Sequence, residues 1–272
     1  PWEDYRFTGI FSRFLENTFR VFVTSLYSKS DIVVTVTHGL AANLLSKGIK
    51  NIEIVPNGAD TSVFKPYRKD VERSRLRINR DEFVIVYSGG IGGYYRLDIV
   101  IKAIASLRQD IVNKTRFLIV GFGTGIESLL KLAEKLGVKE RVTYLGVKTD
   151  KRELARIISA ADVGVIPFDN NPEFKVALPA KFFEYCACGL PTLATIFDDS
   201  LLASIINKLG LGLVSPSPDH KRLAENIIYI FYNKEFREKA GRRARLIVEK
   251  IFDRKRLAEK YVRIVERVIA LG

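Results

Sequence analysis

Lys181 and Glu184 stand three residues apart in the segment Pro179-Ala180-Lys181-Phe182-Phe183-Glu184-Tyr185. Pro179 opens a helix there, which runs through Cys188 until Gly189 stops it and Pro191 forbids its continuation. On such a helix the two side chains share a face. The first turns favour anions through the helix dipole, and Lys181 adds a full positive charge. A diphosphate fits that position, with Glu184 one turn deeper to accept hydrogen bonds from ribose hydroxyls. The same spacing also describes an ordinary surface ion pair, worth roughly a few tenths of a kcal/mol. Spacing alone leaves both readings open.

Two glycine runs invite a phosphate. In Gly89-Gly90-Ile91-Gly92-Gly93, four glycines in five residues let backbone N–H groups approach an anion without a Cβ in the way. A tight turn would explain one or two of them. The second run, Gly121-Phe122-Gly123-Thr124-Gly125, is a poor dinucleotide fingerprint. Its third glycine would fall at Ile126, and the next strand runs Tyr144-Leu145-Gly146 with no acid for a ribose. His38 and His220 are the only histidines, and with Cys186 and Cys188 they offer no zinc spacing. The two cysteines lie two apart on a helix, which excludes a disulfide framework and favours a reducing cytoplasm.

These residues sit on a repeating scaffold. Phe83–Tyr87 reads as a buried strand, Ser88–Gly93 as a loop, and Leu97–Leu107 as a helix. Strands follow at Arg116–Val120, Val142–Leu145, Val163–Ile166, Thr192–Ile196 and Gly212–Val214. Ile126, Leu129, Leu130, Ala133 and Leu136 make a helical stripe that Gly137 caps, and Leu154, Ile157 and Ile158 mark another helix. Strands alternating with helices predict an α/β fold with a doubly wound parallel sheet. Ahead of it, residues 10–28 read as a helix, Asp31–Thr37 as a strand, a helix capped by Thr37 runs to Ser46, and Asn51–Val55 is a second strand. That is too little for a separate domain. Leu257, Tyr261, Ile264, Val265 and Val268 form the apolar stripe of a terminal helix, expected to pack on the N-terminal segment. The expected division is 1–65, 66–251 and 252–272.

The chain has 272 residues, 47% hydrophobic and 28% charged, consistent with a globular core. No run approaches the roughly 20 apolar residues of a membrane span. It opens Pro1-Trp2-Glu3 without a signal-peptide pattern, as if it begins inside a longer reading frame. Lys, Arg, Glu and Ile are abundant and Met is absent, a bias resembling a thermophile's. The net charge is +13, and residues 234–272 hold 13 Lys or Arg against 6 Asp or Glu. Nucleic acid, an anionic membrane, anionic sugars and a plain solvated helix pair are the readings of that surface. Arg242, Arg243, Arg245, Arg254, Lys255 and Arg256 are the candidates for peripheral membrane contact.

The segment from Pro179 to Pro191 resembles the P-x-K-x-x-E-Y-x-A-x-G-x-P signature of glycosyltransferase family 4. The subgroup it is most similar to comprises sugar transferases of bacterial and archaeal surface-polysaccharide clusters. Ile54-Val55-Pro56-Asn57-Gly58-Ala59-Asp60 with Phe64 and Pro66, the first glycine run, Ile119–Gly123, Tyr144-Leu145-Gly146 and Ala161-Asp162-Val163 fall in the family's order. The resemblance covers nearly the whole chain and implies a GT-B fold. In that fold 66–251 would be the nucleotide-sugar-binding domain and 1–65 the tail of an acceptor-side domain, much of which would precede Pro1.

By this resemblance Glu184 binds the ribose of a nucleotide sugar. Lys181, as the catalytic charge, binds the diphosphate with Gly89, Gly90, Gly92 and Gly93, and the backbone at Leu145 and Gly146 meets the base. Ala177 and Leu178 complete the substrate-binding set. Two departures stand out. The first acid of the family's Glu-x7-Glu pair would fall on Val176, with Glu173 out of register. The Arg and Lys usual after the first strand would fall on Gly90 and Tyr95, leaving Lys181 to be helped by Arg96. The implied reaction is transfer of a sugar from a UDP- or GDP-sugar to a glycan or lipid-linked acceptor, with retention and without metal or cofactor. A non-catalytic nucleotide-sugar or nucleic-acid binding domain and a GT-B 2-epimerase are the rivals, and no nucleic-acid partner is expected. The implied location is the cytoplasm, peripheral on the inner face of the membrane.

Overall fold

The computed structural model describes residues 12–271. It divides into two compact units, one of residues up to Asn57 with Lys255 onward, the other Gly58–Arg254.

The smaller unit contains α1 (Ser12–Ser28), β1 (Val33–Thr35), α2 (His38–Ser46) and β2 (Ile52–Ile54). The residues just before Ser12 in the expected first helix lie outside the described ones. β1 and β2 pair in parallel, Val33 opposite Ile52. Thr37 caps α2, its hydroxyl accepting from Leu40 N at 3.2 Å.

The larger unit runs α3 (Lys69–Arg75), β3 (Phe83–Gly90), α4 (Leu97–Ala105), α5 (Gln109–Val112), β4 (Thr115–Phe122), α6 (Ile126–Lys135), β5 (Val142–Tyr144), α7 (Lys151–Ser159) and β6 (Val163–Pro167). It continues through α8 (Ala180–Ala187), β7 (Thr192–Thr195), α9 (Leu201–Leu209), β8 (Gly212–Ser215), α10 (His220–Tyr232) and α11 (Lys234–Ile251). All six strands are parallel, in the order β5-β4-β3-β6-β7-β8. That is the doubly wound arrangement, and the order reverses between β3 and β6. The alternating side chains of β3 divide between two cores. Val84 and Val86 join Phe182, Phe183 and Tyr185 on one face. Phe83, Ile85 and Tyr87 join Ile101, Ile104 and Ile227 on the other.

The last helix, α12 (Arg254–Leu271), belongs to the smaller unit from Lys255 onward. There the Lys260 ammonium donates to Ile54 O at 2.7 Å and Arg267 pairs with Glu53 at 2.6 Å. Of its expected apolar stripe, Ile264 is buried, whereas Tyr261 and Val265 are exposed.

One expectation about the first glycine run changes. Ser88, Gly89 and Gly90 are strand, not loop, paired with Val120, Gly121 and Phe122 of β4. The second run permits this pairing. A Cβ on Gly121 would lie 1.8 Å from Gly89 O, and one on Gly123 would lie 1.9 Å from Ile91 O. These glycines exist so that two backbones can touch, which accounts for the run without a dinucleotide.

The basic tail changes too. The Arg245 guanidinium donates to Phe64 O and Ala187 O, both at 2.7 Å, and to Thr61 O at 3.2 Å. Arg254 donates to Gly58 O at 3.1 Å. Both were candidates for membrane contact, and both turn donors inward because carbonyls at chain turns and helix ends need partners. Arg73 and Arg237 do the same, to Ala160, Arg80 and Glu82 and to Ile230 and Phe231.

Candidate functional site

The sequence places α8 by burying one side of it. Phe182, Phe183, Tyr185, Cys186 and Ala187 are all in the core. The Tyr185 ring covers the backbone of Gly164 on β6, where any Cβ would come within 2.2 Å of it. Its hydroxyl accepts from Ser88 N on β3 at 2.9 Å. One side chain thus fixes α8 against both strands that flank the reversal of order, where ligands bind in open parallel sheets. Pro179, with no N–H and φ −73°, caps the start of α8, whose first amides have no partner within the helix.

Lys181 does not lie on the surface. It is 6% exposed, so the surface ion-pair reading fails. Its stem crosses the end of β3 at Gly89, whose Cβ, if present, would lie 3.0 Å from the amine. The ammonium then donates to Tyr87 Oη at 3.0 Å. It lies 3.3 Å from the ring centre of Tyr95 and 4.2 Å from that of Tyr87. No carboxylate pairs with it among the described residues. Burial pushes it well below the ordinary lysine value of 10.5, and Glu184 offsets that only in part. Burial also pushes both phenols up, Tyr95 to about 12, so they stay protonated.

Glu184 is half-buried, with no hydrogen-bond or ion-pair partner among the described residues. Burial raises its carboxyl above 4.5, opposed by the charges of Arg254, Lys181 and Lys151. A half-buried carboxylate left without a donor is ready for hydroxyl groups.

The remaining candidates divide. Gly89 and Gly90 end β3, and Gly92 (φ 102°) and Gly93 (φ 61°) make the turn that follows it. Leu145 N donates to Ile119 O and Gly121 N donates to Gly146 O, which carries the β5 edge past its last strand residue. Ala177 and Leu178 link a 3₁₀ turn at Pro172–Val176 to α8 and pack on the core. Arg96 is otherwise engaged. Its guanidinium makes a bidentate bond to Asp98 at 2.8 and 2.9 Å. Against the push of burial, that bond and one from Lys102 bring the Asp98 carboxyl down to about 2. Arg96 thus holds Asp98 through Nε and Nη2.

Pattern reasoning missed the aromatic residues. Tyr87, Tyr95, Phe168, Phe174 and Tyr94 form a run of ring contacts with centroids 4.4–5.6 Å apart. It lies beside Val176 and takes in Tyr95, two positions where the resemblance calls for charge.

A sequence model described as "Glycosyl transferases group 1" matches residues 68–247. The chain belongs to the group 1 glycosyl transferases. Among similar proteins, D-inositol 3-phosphate glycosyltransferase of Stackebrandtia nassauensis is 32% identical over 178 residues, 61% of this chain and 39% of that protein. The Nocardia farcinica protein of the same name is 31% identical over 169 residues, 60% of this chain and 36% of its own length. The match thus takes in well under half of each relative. Sucrose-phosphate synthase from Thermosynechococcus elongatus superposes with a TM-score of 0.76 at 21% identity, over 94% of this chain and 63% of that one. Anabaena HepE, solved with UDP-glucose, gives 0.78 at 17%, over 92% and 68%. These glycosyltransferase structures establish the shared GT-B fold.

Proposed function

We propose that this group 1 glycosyltransferase binds a nucleoside diphosphate sugar where β3, β6 and α8 meet, and transfers the sugar to an acceptor hydroxyl with retention. The observation that carries the reading is the pairing of Lys181 and Glu184: an ammonium with no ion pair and a carboxylate with no hydrogen-bond donor among the described residues, one helical turn apart. Lys181 and the α8 amides would stabilise the leaving diphosphate as its charge grows. Glu184 would hold the ribose, and the edge at Leu145 and Gly146 would meet the base. In this reading the smaller unit belongs to an acceptor-side domain. The acceptor is a glycan or a lipid-linked sugar of surface-polysaccharide assembly, as in the family 4 subgroup. The enzyme works in the cytoplasm at an anionic membrane face, with Arg242 and Arg243 among the exposed basic residues of α11.

A thermal-shift panel of UDP-, GDP- and ADP-sugars tests this. A specific donor raises the melting temperature by the linkage RT ln(1 + [L]/Kd), and one base should stand out. A flat panel removes the reading.

A further inference from the structure

The donors around Tyr87 can be counted. Its hydroxyl has one proton, which it donates to Gly90 O. Toward Lys181 it can therefore only accept. The ammonium has three N–H groups. One is fixed on Tyr87 Oη at 3.0 Å, and the others remain at the carboxyl end of β3. This bond does not compete with an anion, because a phosphate oxygen takes the remaining donors.

Tyr95 stands differently. Its ring centre lies 3.3 Å from the amine, so the ring face takes up one side of the ammonium. Tyr95 stacks at 5.1 Å on Phe168 and meets Tyr87 edge-on at 5.6 Å. The π face provides the ammonium with the partner that no carboxylate supplies. Unlike the Tyr87 bond, which uses one N–H, that contact covers a side of the ammonium on which an anion oxygen could otherwise sit.

We propose that the two tyrosines have opposite roles toward Lys181: Tyr87 is the positioning residue that aims its amine, and Tyr95 is a displaceable aromatic cover that competes with the diphosphate. The proposal rests on the reading of Lys181 as a diphosphate-binding residue. It predicts opposite signs for two neighbouring substitutions, which general damage to the site does not produce.

The test is calorimetric titration of the whole chain with inorganic pyrophosphate, UDP and GDP, with the melting temperature of each unliganded variant recorded. Tyr87→Phe keeps the ring and removes the hydroxyl, and should weaken the best-binding probe about tenfold, the size of one hydrogen bond to a charged group. Tyr95→Leu keeps apolar volume and should tighten the same probe by roughly threefold to tenfold. In a Lys181→Met background both effects should vanish. Weaker binding by Tyr95→Leu, unchanged binding by Tyr87→Phe, or effects that persist without Lys181 would each overturn the assignment. If Tyr87→Phe does not fold, the sign for Tyr95→Leu decides. A wild-type chain that binds none of the three probes overturns the functional reading and this inference with it. Binding with the wrong signs overturns this inference alone.

Discussion

Gly164 on β6 and Tyr185 on α8 occupy one volume: a Cβ on the glycine would lie 2.2 Å from the tyrosine ring. The ring cannot retreat without pulling its hydroxyl from Ser88 N. Gly164→Ala should therefore destabilise the chain by about 1–3 kcal/mol, the usual cost of overpacking. It should also weaken nucleotide binding, because α8 must shift. Urea denaturation and titration of the same variant check both. An alanine variant of full stability would mean that the helix is loosely seated.

Gly89 makes room for a different neighbour. Its φ of 128° is poorly tolerated by other residues, and a methyl there would come within 3.0 Å of the Lys181 amine and 3.2 Å of Cε. Gly89→Ala should displace the lysine end and cut pyrophosphate affinity by at least about tenfold, whereas Gly90, with open space around its Cβ position, should tolerate alanine. Titration of the two variants side by side distinguishes crowding of Lys181 from general loss of glycine.

Lys181 and Glu184 should separate in stability as well as in binding. A buried ammonium without a carboxylate is a desolvation cost, so Lys181→Met should leave stability unchanged or raise it while removing diphosphate affinity. In a complete, active enzyme the loss of that charge should lower turnover about 10²–10³-fold. Glu184→Ala should act on donor affinity, at roughly 1.5–3 kcal/mol per charged hydrogen bond to ribose. If calorimetry shows wild-type affinity for both variants, the site lies elsewhere.

Binding should have two pH limbs. Lys181 titrates below 10.5 in the free protein and must be charged to hold a diphosphate, so affinity falls as pH rises through its lowered value. Glu184 titrates above 4.5 and accepts more strongly from ribose when ionised, so affinity falls as pH drops through its raised value. Tyr87 and Tyr95 face the amine and stay neutral, while the charges that act on the Glu184 carboxyl are those of Arg254, Lys181 and Lys151. Stability follows the linkage sign. Between the lowered lysine value and 10.5 the unfolded chain holds more protons, so Lys181 makes stability rise with pH. Between 4.5 and the raised Glu184 value the folded chain holds more, and stability falls as pH rises. UDP and GDP titrations from pH 5 to 10 would show a plateau with two flanks.

The alternation of elements was legible because buried parallel strands and amphipathic helices have different periods. β3, β4, β6 and β7 fall within a few residues of their expected places. α8 was legible from Pro179 and Gly189. Lys181 and Glu184 were legible as a pair because their spacing is local. The partners of Lys181 were not, since Tyr87 lies 94 positions away and only the folded sheet brings it near. Nor could a glycine count reveal that Gly121 and Gly123 serve strand contact while Gly89 clears a path. The partner of Arg96, Asp98, is only two residues on, but the bidentate bond depends on the turn geometry at the start of α4. α3, α5, α9 and α10 went unassigned, although α9 buries Leu202, Ala203 and Ile206 on one face.

The inward-facing arginines alter what the +13 charge means. Arg73 reaches the carbonyl that follows α7, Arg245 the last carbonyl of α8, and Arg237 two carbonyls in the last turn of α10. Each guanidinium closes the end of a helix and, through its other donors, joins it to a second segment or holds two carbonyls of the same turn. These charges sit against the negative ends of helix dipoles, so they serve the fold as well as the net charge. Lysine at 73, 237 and 245 would preserve the count. It would not preserve the joints, because a single ammonium at the end of a flexible stem cannot match the rigid fork that spans these carbonyls.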